Sequence, residues 1–309
     1  AFNFPAWGLA EKAACSLLAG MPVLSKPATS TALMTHALVE AVAPIMPEGT
    51  LSLLCGRVGD LLDHVEWSDV IAFTGSADTG DKIRQHPQVL QSGAAVNIEA
   101  DSLNAMILDS DAEDATYDAF IRHAHTEITQ KSGQKCTAVR RLLVPRDRLD
   151  EVVEDLSERF GRTTVGDPTL DGVTMGPLST LSQKTAALEG LAALQGHAKV
   201  VYGGPDGLLR AAEGADLTNG AFVTPTLLQT EGPCDADSPV HNLEVFGPVS
   251  TIIPFDGSAA EAVQQVRHGR GCLVSAIYAD DRRFLQETIL GLAAWNGRLV
   301  VIDEQVAEK

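Results

Sequence analysis

Apolar residues along this chain recur with two periods, and their alternation predicts the elements of the fold. Pro5 stands where a helix can begin, apolar residues follow it at helical spacing, and Gly20 ends the run. Further stretches of helical period, the first of them capped by Ser30, are predicted as helices over residues 32–43, 77–84, 112–130, 149–160, 182–194, 258–268 and 282–291. Short apolar runs, the first of them buried, are predicted as strands over residues 22–25, 51–55, 70–73, 94–99, 199–202, 222–228, 249–255, 273–278 and 298–302. This order predicts an α/β fold with parallel strands and helices on both faces of the sheet.

A change of pattern near residue 101 predicts two domains. Residues 1–100 have the strand and helix order of a Rossmann-type cofactor-binding domain, whose N-terminal part we expect to precede Ala1. Residues 101–303, beginning with a long predicted helix, form an α/β domain that contains Cys136, and residues 304–309 are expected to begin a further C-terminal segment. Because the chain opens without Met in what looks like a working loop, we expect it to be a piece of a longer protein.

The composition narrows the class of protein. Of the 309 residues, 45% are hydrophobic and 21% charged, which is typical of a soluble globular protein. The formal net charge of −18 disfavours nucleic acid and anionic membrane surfaces as partners. The five cysteines are odd in number and lack CxxC spacing, so they predict neither a disulfide framework nor a metal site. This cysteine pattern fits a reducing cytoplasm best, and no apolar run approaches the roughly 20 residues that span a bilayer.

Cys136 is the first candidate for chemistry. A single cysteine is most often an inert buried thiol. Here the segment Gly133-Gln134-Lys135-Cys136 places the thiol beside a flexible glycine and near a predicted helix start, where amide dipoles would stabilise a thiolate. The sequence therefore favours a nucleophile at this position.

Glu99 and a glycine-containing turn are weaker candidates. Glu99 ends an apolar strand and is either a general base or a solvated carboxylate at the sheet edge; spacing alone leaves both open. The turn over residues 73–80 has glycines suited to offering amides to a pyrophosphate and lacks the Gly-Lys-Ser/Thr of a P-loop. His123 and His125 lie two apart on a predicted helix, make a poor metal pair and are predicted to be surface residues.

Five motifs in this order make the chain resemble the aldehyde dehydrogenase superfamily along nearly all of its length. They are Phe2-Asn3-Phe4-Pro5, the Lys-Pro-Ala segment within residues 24–28, Phe-Thr-Gly-Ser at the start of the 73–80 turn, Gly133-Gln134-Lys135-Cys136, and Glu244-Val245-Phe246-Gly247-Pro248-Val249. The resemblance implies oxidation of an aldehyde by NADP or NAD. Implied catalytic roles are Cys136 as nucleophile, Glu99 as base, and Asn3 as an oxyanion-hole donor whose loss costs about 3 to 4 kcal/mol in barrier.

The same resemblance implies the cofactor contacts. Lys26 would bind the adenosine ribose, Ser76 the pyrophosphate, and Glu244 and Phe246 the nicotinamide ribose and ring. The implied cofactor-binding set is Lys26, Ala28, Thr29, Gly75, Ser76, Glu244 and Phe246. NAD-preferring members often carry a glutamate three residues after the lysine, where it would repel a 2′-phosphate; Thr29 stands there, so NADP is favoured. Alternatively, Thr29 merely caps a helix and both cofactors are used.

A closer resemblance concerns the substrate. Glu99 is followed by Ala100-Asp101, where most members have Leu-Gly-Gly, and Cys136 lies in Gly-Gln-Lys-Cys-Thr-Ala-Val-Arg-Arg. These features resemble the dehydrogenases of aerobic phenylacetate and benzoate breakdown, which oxidise a CoA-bound semialdehyde and in the phenylacetate case carry a fused C-terminal hydratase domain.

Length is where the chain departs from the family. Roughly a third of a usual dehydrogenase would precede Ala1, and an oligomerisation segment would follow Lys309, so a homo-oligomer is expected only at full length. Two other readings stay open: a thioesterase or esterase that uses Cys136 and Glu99 without redox chemistry, and an inactive structural fragment.

Overall fold

Parallel strand pairing builds both compact units of the chain, Ala1–Asp101 and Ser102–Lys309. The computed structural model describes residues 1–207 and 210–309. The first unit comprises α1 (Pro5–Leu18), β1 (Val23–Ser25), α2 (Ala32–Val42), β2 (Leu51–Leu53), β3 (Val70–Gly75), α3 (Ala77–Arg84), α4 (Pro87–Ser92) and β4 (Ala95–Ala100). The second comprises β5 (Asn104–Leu108), α5 (Asp114–Thr129), β6 (Val139–Pro145), α6 (Leu149–Gly161), β7 (Thr164–Val165), α7 (Leu181–Gln195), β8 (Lys199–Tyr202), β9 (Arg210–Ala211), β10 (Thr226–Gln229), β11 (Val249–Phe255), α8 (Ala259–His268), β12 (Cys272–Tyr278), α9 (Arg282–Leu292), β13 (Asn296–Ile302) and α10 (Glu304–Ala307).

In the first unit, two parallel pairs, β1 with β2 and β3 with β4, form separate two-stranded sheets. The prediction that the first strand is buried was wrong: Leu24 is 52% exposed, because β1 has only β2 as a neighbour in its sheet. The predicted Ser30 cap was also wrong, since Ser30 lies inside a 3₁₀ turn and Thr31 precedes α2 without a side-chain capping bond. Gly80 allows α3 to approach β4, because a Cβ there would lie 2.8 Å from Ile98 Cγ2.

The second unit is organised around a seven-stranded sheet in the order β13-β12-β5-β6-β11-β10-β8. Its strands are parallel except β8, which pairs antiparallel with β10. Adjacent residues of β6 point to opposite faces: Leu142 belongs to the same hydrophobic cluster as Phe120 of α5, and Leu143 to the same cluster as Phe284 of α9. The predicted α/β class, with helices on both faces of a parallel sheet, is confirmed in this unit.

Several elements of the second unit differ from the sequence prediction. Strand β5 was not predicted, although all five of its residues are buried and it lies between β12 and β6. The strand predicted over residues 222–228 begins only at Thr226, directly after Pro225, which has no amide to contribute to a ladder. Among the described residues, no helix has the length and apolarity that a membrane crossing requires.

His123 and His125 are not the surface residues that the sequence predicted. His123 Nδ1 lies 2.9 Å from the Tyr278 hydroxyl, and His125 Nε2 lies 3.0 Å from Thr163 Oγ1. Both side chains are half-buried, and burial lowers the pKa of each imidazole. The two rings therefore contact different neighbours, as their spacing along α5 requires.

Asp109, which directly follows β5, carries a buried carboxyl. The residue is 4% exposed, and Oδ2 has no hydrogen-bond partner among the described residues. Burial, together with the nearby Asp111 and Asp281 carboxylates, raises the pKa of Asp109 to about 6. A carboxyl whose pKa is higher in the folded than in the unfolded chain stabilises the fold below its unfolded pKa, and this stability is lost as the pH rises through about 6.

Asp109→Asn is therefore expected to stabilise the protein at pH 8 by about 2 kcal/mol, because asparagine resembles the protonated acid. The gain should shrink below pH 6 and disappear near pH 4, and urea unfolding at each pH measures it. Asp118→Asn, an exposed carboxyl on α5, is the matched control. An equal gain in stability at both ends of this pH range would contradict the raised pKa of Asp109.

Candidate active site

Cys136 lies in a β-turn that leads into β6, the central strand of the large sheet. The turn is closed by the Ala138 amide, which donates to the Lys135 carbonyl at 3.2 Å. No helix begins there, so the predicted helix dipole at the thiol was wrong: the residues that follow Cys136 form a wholly buried strand. The preceding backbone is strained, with Lys131 and Ser132 at φ values of 53° and 54°.

Close packing around Gly133 holds the Cys136 turn against the segment that follows Glu244. Gly133 has a φ of 69°, and a Cβ there would lie 2.1 Å from the Gly247 carbonyl oxygen, so only glycine fits. The Ser132 hydroxyl donates to the Gly176 carbonyl at 2.6 Å. The Gln134 side-chain oxygen accepts from the Ser179 amide at 2.9 Å. The glycine and the glutamine of the motif therefore hold the turn in place, Gly133 by allowing the close approach and Gln134 by its hydrogen bond.

Asn104 fixes the backbone of the nucleophile itself. Its Nδ2 donates to the carbonyls of Cys136 and Ala138, both at 2.8 Å. Its Oδ1 accepts from the Ser102 hydroxyl at 2.7 Å and from the Val274 amide at 3.1 Å. The side chain, 1% exposed, uses both donors and its oxygen, so it ties the turn to strands β5 and β12.

Two cations, Lys131 and Arg140, interact electrostatically with Cys136. Burial lowers the pKa of Lys131 and the neighbouring Lys135 lowers it further, whereas the negative charge of a Cys136 thiolate raises it. Burial likewise lowers the pKa of Arg140, against the opposing effects of Glu244 and of Cys136. Both cations are therefore close enough to stabilise a thiolate at Cys136.

The Glu244 and Phe246 side chains lie against the strand that carries Arg140. The Glu244 side chain is 6% exposed; its Oε1 accepts from Arg140 Nε and its Oε2 from the Ser102 amide, each at 3.1 Å. The Arg140 guanidinium lies over the Phe246 ring, 5.3 Å from the ring centroid. The structure thus joins three predicted site residues of the second unit, Cys136, Glu244 and Phe246, through Arg140.

Lys26, Ala28 and Thr29 follow β1 in the first unit. Lys26 Nζ donates to the Pro27 carbonyl at 3.1 Å, and Lys26 and Thr29 are exposed. Ala28, rather than Thr29, is the capping position of the 3₁₀ turn, and Thr31 precedes α2. The alternative that Thr29 merely caps the following helix therefore does not hold.

Gly75 and Ser76 form the predicted nucleotide turn between β3 and α3. Ser76 precedes the first helical residue, and its hydroxyl donates to Thr79 Oγ1 at 3.1 Å. The Ala77 amide at this helix N-terminus donates to a carboxylate oxygen of Asp101 at 3.1 Å. A negatively charged oxygen of the protein thus lies where the helix dipole favours an anion.

Glu99 and Asn3 are also in the first unit. Glu99, half-buried on β4, pairs with Thr74 of β3 near the carboxyl ends of both strands. Asn3 lies two residues before Pro5, at which α1 begins.

Asn104, Arg140 and Lys131 were not assigned roles from the sequence. A signal existed for two of them, because Asn104 opens an apolar run and Arg140 stands with Arg141 inside one. Polar groups in buried strands need partners. The sequence did not indicate which partners these would be.

The α/β fold, the turn that carries Cys136 and the glycine turn before α3 agree with the family motifs found in the sequence. The aldehyde dehydrogenase family profile matches residues 1–305, and the chain belongs to that family. The family resemblance and fold class predicted from the motifs are confirmed.

One relative agrees with the closer resemblance. The chain is 46% identical to a 3,4-dehydroadipyl-CoA semialdehyde dehydrogenase of Aromatoleum evansii, over 99% of this chain and 59% of that protein. It also resembles an NADP-dependent enzyme of E. coli (27% identity, TM-score 0.81) and a Mycobacterium tuberculosis aldehyde dehydrogenase complexed with NAD⁺ (28% identity, TM-score 0.82). Each solved structure is matched over 97% of this chain and 59% of its own. The chain thus spans about three fifths of the length of these relatives.

Proposed function

We propose that the protein is an NAD(P)-dependent dehydrogenase that oxidises an aldehyde to an acid through Cys136. The observation that carries the proposal is the Cys136 turn, strained at Lys131 and Ser132, held by Asn104 and set beside two cations. In this proposal residues 1–100 bind the cofactor and residues 101–303 carry the nucleophile. The thioesterase reading and the inactive-fragment reading are not favoured, because neither uses the residues of the cofactor motifs.

The residues act in a fixed order. The Cys136 thiolate adds to the aldehyde carbon, and the Asn3 amide stabilises the oxyanion that forms. NAD(P)⁺ supplies the acceptor for the hydride that leaves this carbon, so that a thioester remains on Cys136. Glu99 then removes a proton from water, which attacks the thioester and releases the acid.

The cofactor contacts are assigned from the family motifs in the sequence. Lys26 would hold the adenosine ribose beside Ala28 and Thr29, and Gly75 and Ser76 would meet the pyrophosphate at α3. Glu244 and Phe246 would contact the nicotinamide ribose and ring. The full-length protein is proposed to work in the cytoplasm as a homo-oligomer.

A CoA-linked semialdehyde is the proposed substrate class. It is supported by the relative from Aromatoleum evansii, named for such a substrate, and by the Ala100-Asp101 sequence after Glu99. The test compares formation of reduced cofactor by the complete protein with a CoA-linked semialdehyde and with a simple medium-chain aldehyde. A higher kcat/KM for the CoA-linked substrate is expected; equal values would overturn the substrate class, and no reduced cofactor with either would overturn the function.

NADP is the proposed preferred cofactor because Thr29 places no negative charge near a 2′-phosphate. Thr29→Glu is expected to raise the KM for NADP by roughly tenfold or more while leaving the KM for NAD nearly unchanged, since only NADP would be repelled. Initial rates with each cofactor measure the effect. Ser30→Glu, the same charge at the next exposed position, is the matched control. A similar change in both KM values would contradict the role of position 29.

A further inference from the structure

Arg140 joins two segments that are far apart in the sequence, and its hydrogen bonds divide evenly between them. Toward the nucleophile turn, Nη2 donates to the Gly133 carbonyl at 2.9 Å and to the Lys135 carbonyl at 3.3 Å. Toward the Glu244–Gly247 segment, Nε donates to Glu244 Oε1 at 3.1 Å and Nη1 to the Gly247 carbonyl at 2.9 Å. The guanidinium thus bonds the turn of the proposed nucleophile on one side and the proposed ribose-binding residue on the other.

Burying this cation is unfavourable unless its contacts compensate. Arg140 is 4% exposed on a strand whose other residues are also buried. Removing a charged guanidinium from water costs several kcal/mol, and an apolar residue would fill the space without that cost. Only a planar group with donors in several directions can bond both segments at once, which lysine cannot do.

Arg141, the next residue of β6, is also buried but does not contact the segments that Arg140 joins. Its guanidinium donates to the Leu103 carbonyl at 2.6 Å and to the Gln265 and Val266 carbonyls at 3.0 and 3.2 Å. It also lies 2.9 Å from His241 Nδ1. None of these partners belongs to the Cys136 turn or to the Glu244–Gly247 segment, so Arg141 connects the sheet to α8 and its surroundings.

We propose that Arg140 is a positioning residue that couples the Glu244–Gly247 segment to the Cys136 turn, so that cofactor binding at Glu244 sets the position of the nucleophile. The inference rests on the proposed function. A ribose bound by Glu244 would change the bond between Glu244 and the Arg140 guanidinium. The same guanidinium also donates to the Gly133 and Lys135 carbonyls. The thiol would then reach its reactive position when the hydride acceptor is bound.

The test measures how cofactor changes the reactivity of Cys136. In the complete protein, alkylation of Cys136 by iodoacetamide is followed by peptide mass spectrometry with and without NADP, in wild type, Arg140→Met and Arg140→Lys. Wild type is expected to show a clear change of rate on adding NADP. Arg140→Met should lose that change, raise the KM for NADP and lower kcat by about 10- to 100-fold, since misplacing a reacting group is this costly. Arg140→Lys keeps the positive charge but not the planar group with donors in several directions. It should therefore restore little of the effect of NADP on the alkylation rate.

Each outcome of this test supports or overturns the coupling through Arg140. Arg141→Lys is the matched control: a loss of thermal stability with an intact NADP effect on alkylation is expected, because its bonds lie elsewhere. If Arg140→Met keeps the NADP effect, or if wild type shows none, the coupling is wrong even when the wild type is an active dehydrogenase. If wild type binds NADP and changes its alkylation rate yet forms no reduced cofactor, the proposed function fails separately.

Discussion

Cys136→Ala is expected to abolish formation of reduced cofactor, lowering kcat by roughly four orders of magnitude or more. The reason is that the substrate stays bonded to the sulfur throughout the proposed reaction. The sulfur forms the hemithioacetal, remains bonded during hydride loss and leaves when water attacks. Because the side chain is half-buried in a turn held by backbone contacts, alanine removes the nucleophile without disturbing the bonds of Asn104. Initial rates with a CoA-linked semialdehyde measure the loss.

Cys55→Ala is the matched control for this variant, since Cys55 is exposed and outside the proposed site. It should leave kcat and KM unchanged. Thermal unfolding of both variants checks that neither is simply unfolded. Residual dehydrogenase activity within tenfold of wild type in Cys136→Ala, with the fold intact, would remove the cysteine from the mechanism and with it the proposed function.

Glu99→Gln is expected to separate the two halves of the reaction. Hydride loss needs the thiolate but not the water-activating carboxylate, so a rapid burst of about one equivalent of reduced cofactor should survive. The steady-state rate that follows should fall by roughly 10²- to 10⁴-fold, the usual contribution of a general base. Stopped-flow measurement of the reduced nicotinamide resolves both phases.

Glu48→Gln, an exposed carboxylate in the same unit, provides the control and should alter neither phase. Equal loss of the burst and the steady state in Glu99→Gln would mean that the carboxylate acts before hydride transfer. An unchanged steady-state rate would mean that Glu99 is not a general base but a solvated carboxylate at the end of a strand.

The periodic pattern of the sequence determined much of the fold. Helix α3 and strands β8 and β11 have the predicted bounds, and α1, α6, α7, α8 and α9 begin and end within a residue or two of theirs. Local signals suffice in such segments because a period, a capping residue and a glycine stop act within a few residues of one another. The motifs likewise determined the family, because Asn3, Glu99 and Cys136 stand in recognisable local sequences.

Predictions failed where the environment of a segment decides its conformation or exposure. The residues after Cys136 could begin a helix or a strand by their local sequence, and the place of β6 between β5 and β11 decided for a strand. Leu24 is exposed although its run is apolar, because β1 pairs with β2 alone. His123 is polar and yet half-buried, because Tyr278 of β12 offers its ring a partner.

The sequence by itself therefore determined the class of fold and the family, and it supplied Cys136 as the candidate nucleophile, because the patterns and motifs behind all three lie in short segments of the chain. Only the tertiary structure decided how that nucleophile is held. Asn104 reaches Cys136 across 32 residues and Arg140 reaches Glu244 across 104. Buried polar groups must find partners, but which partner is near depends on the order of strands in the sheet, and no local pattern specifies that order.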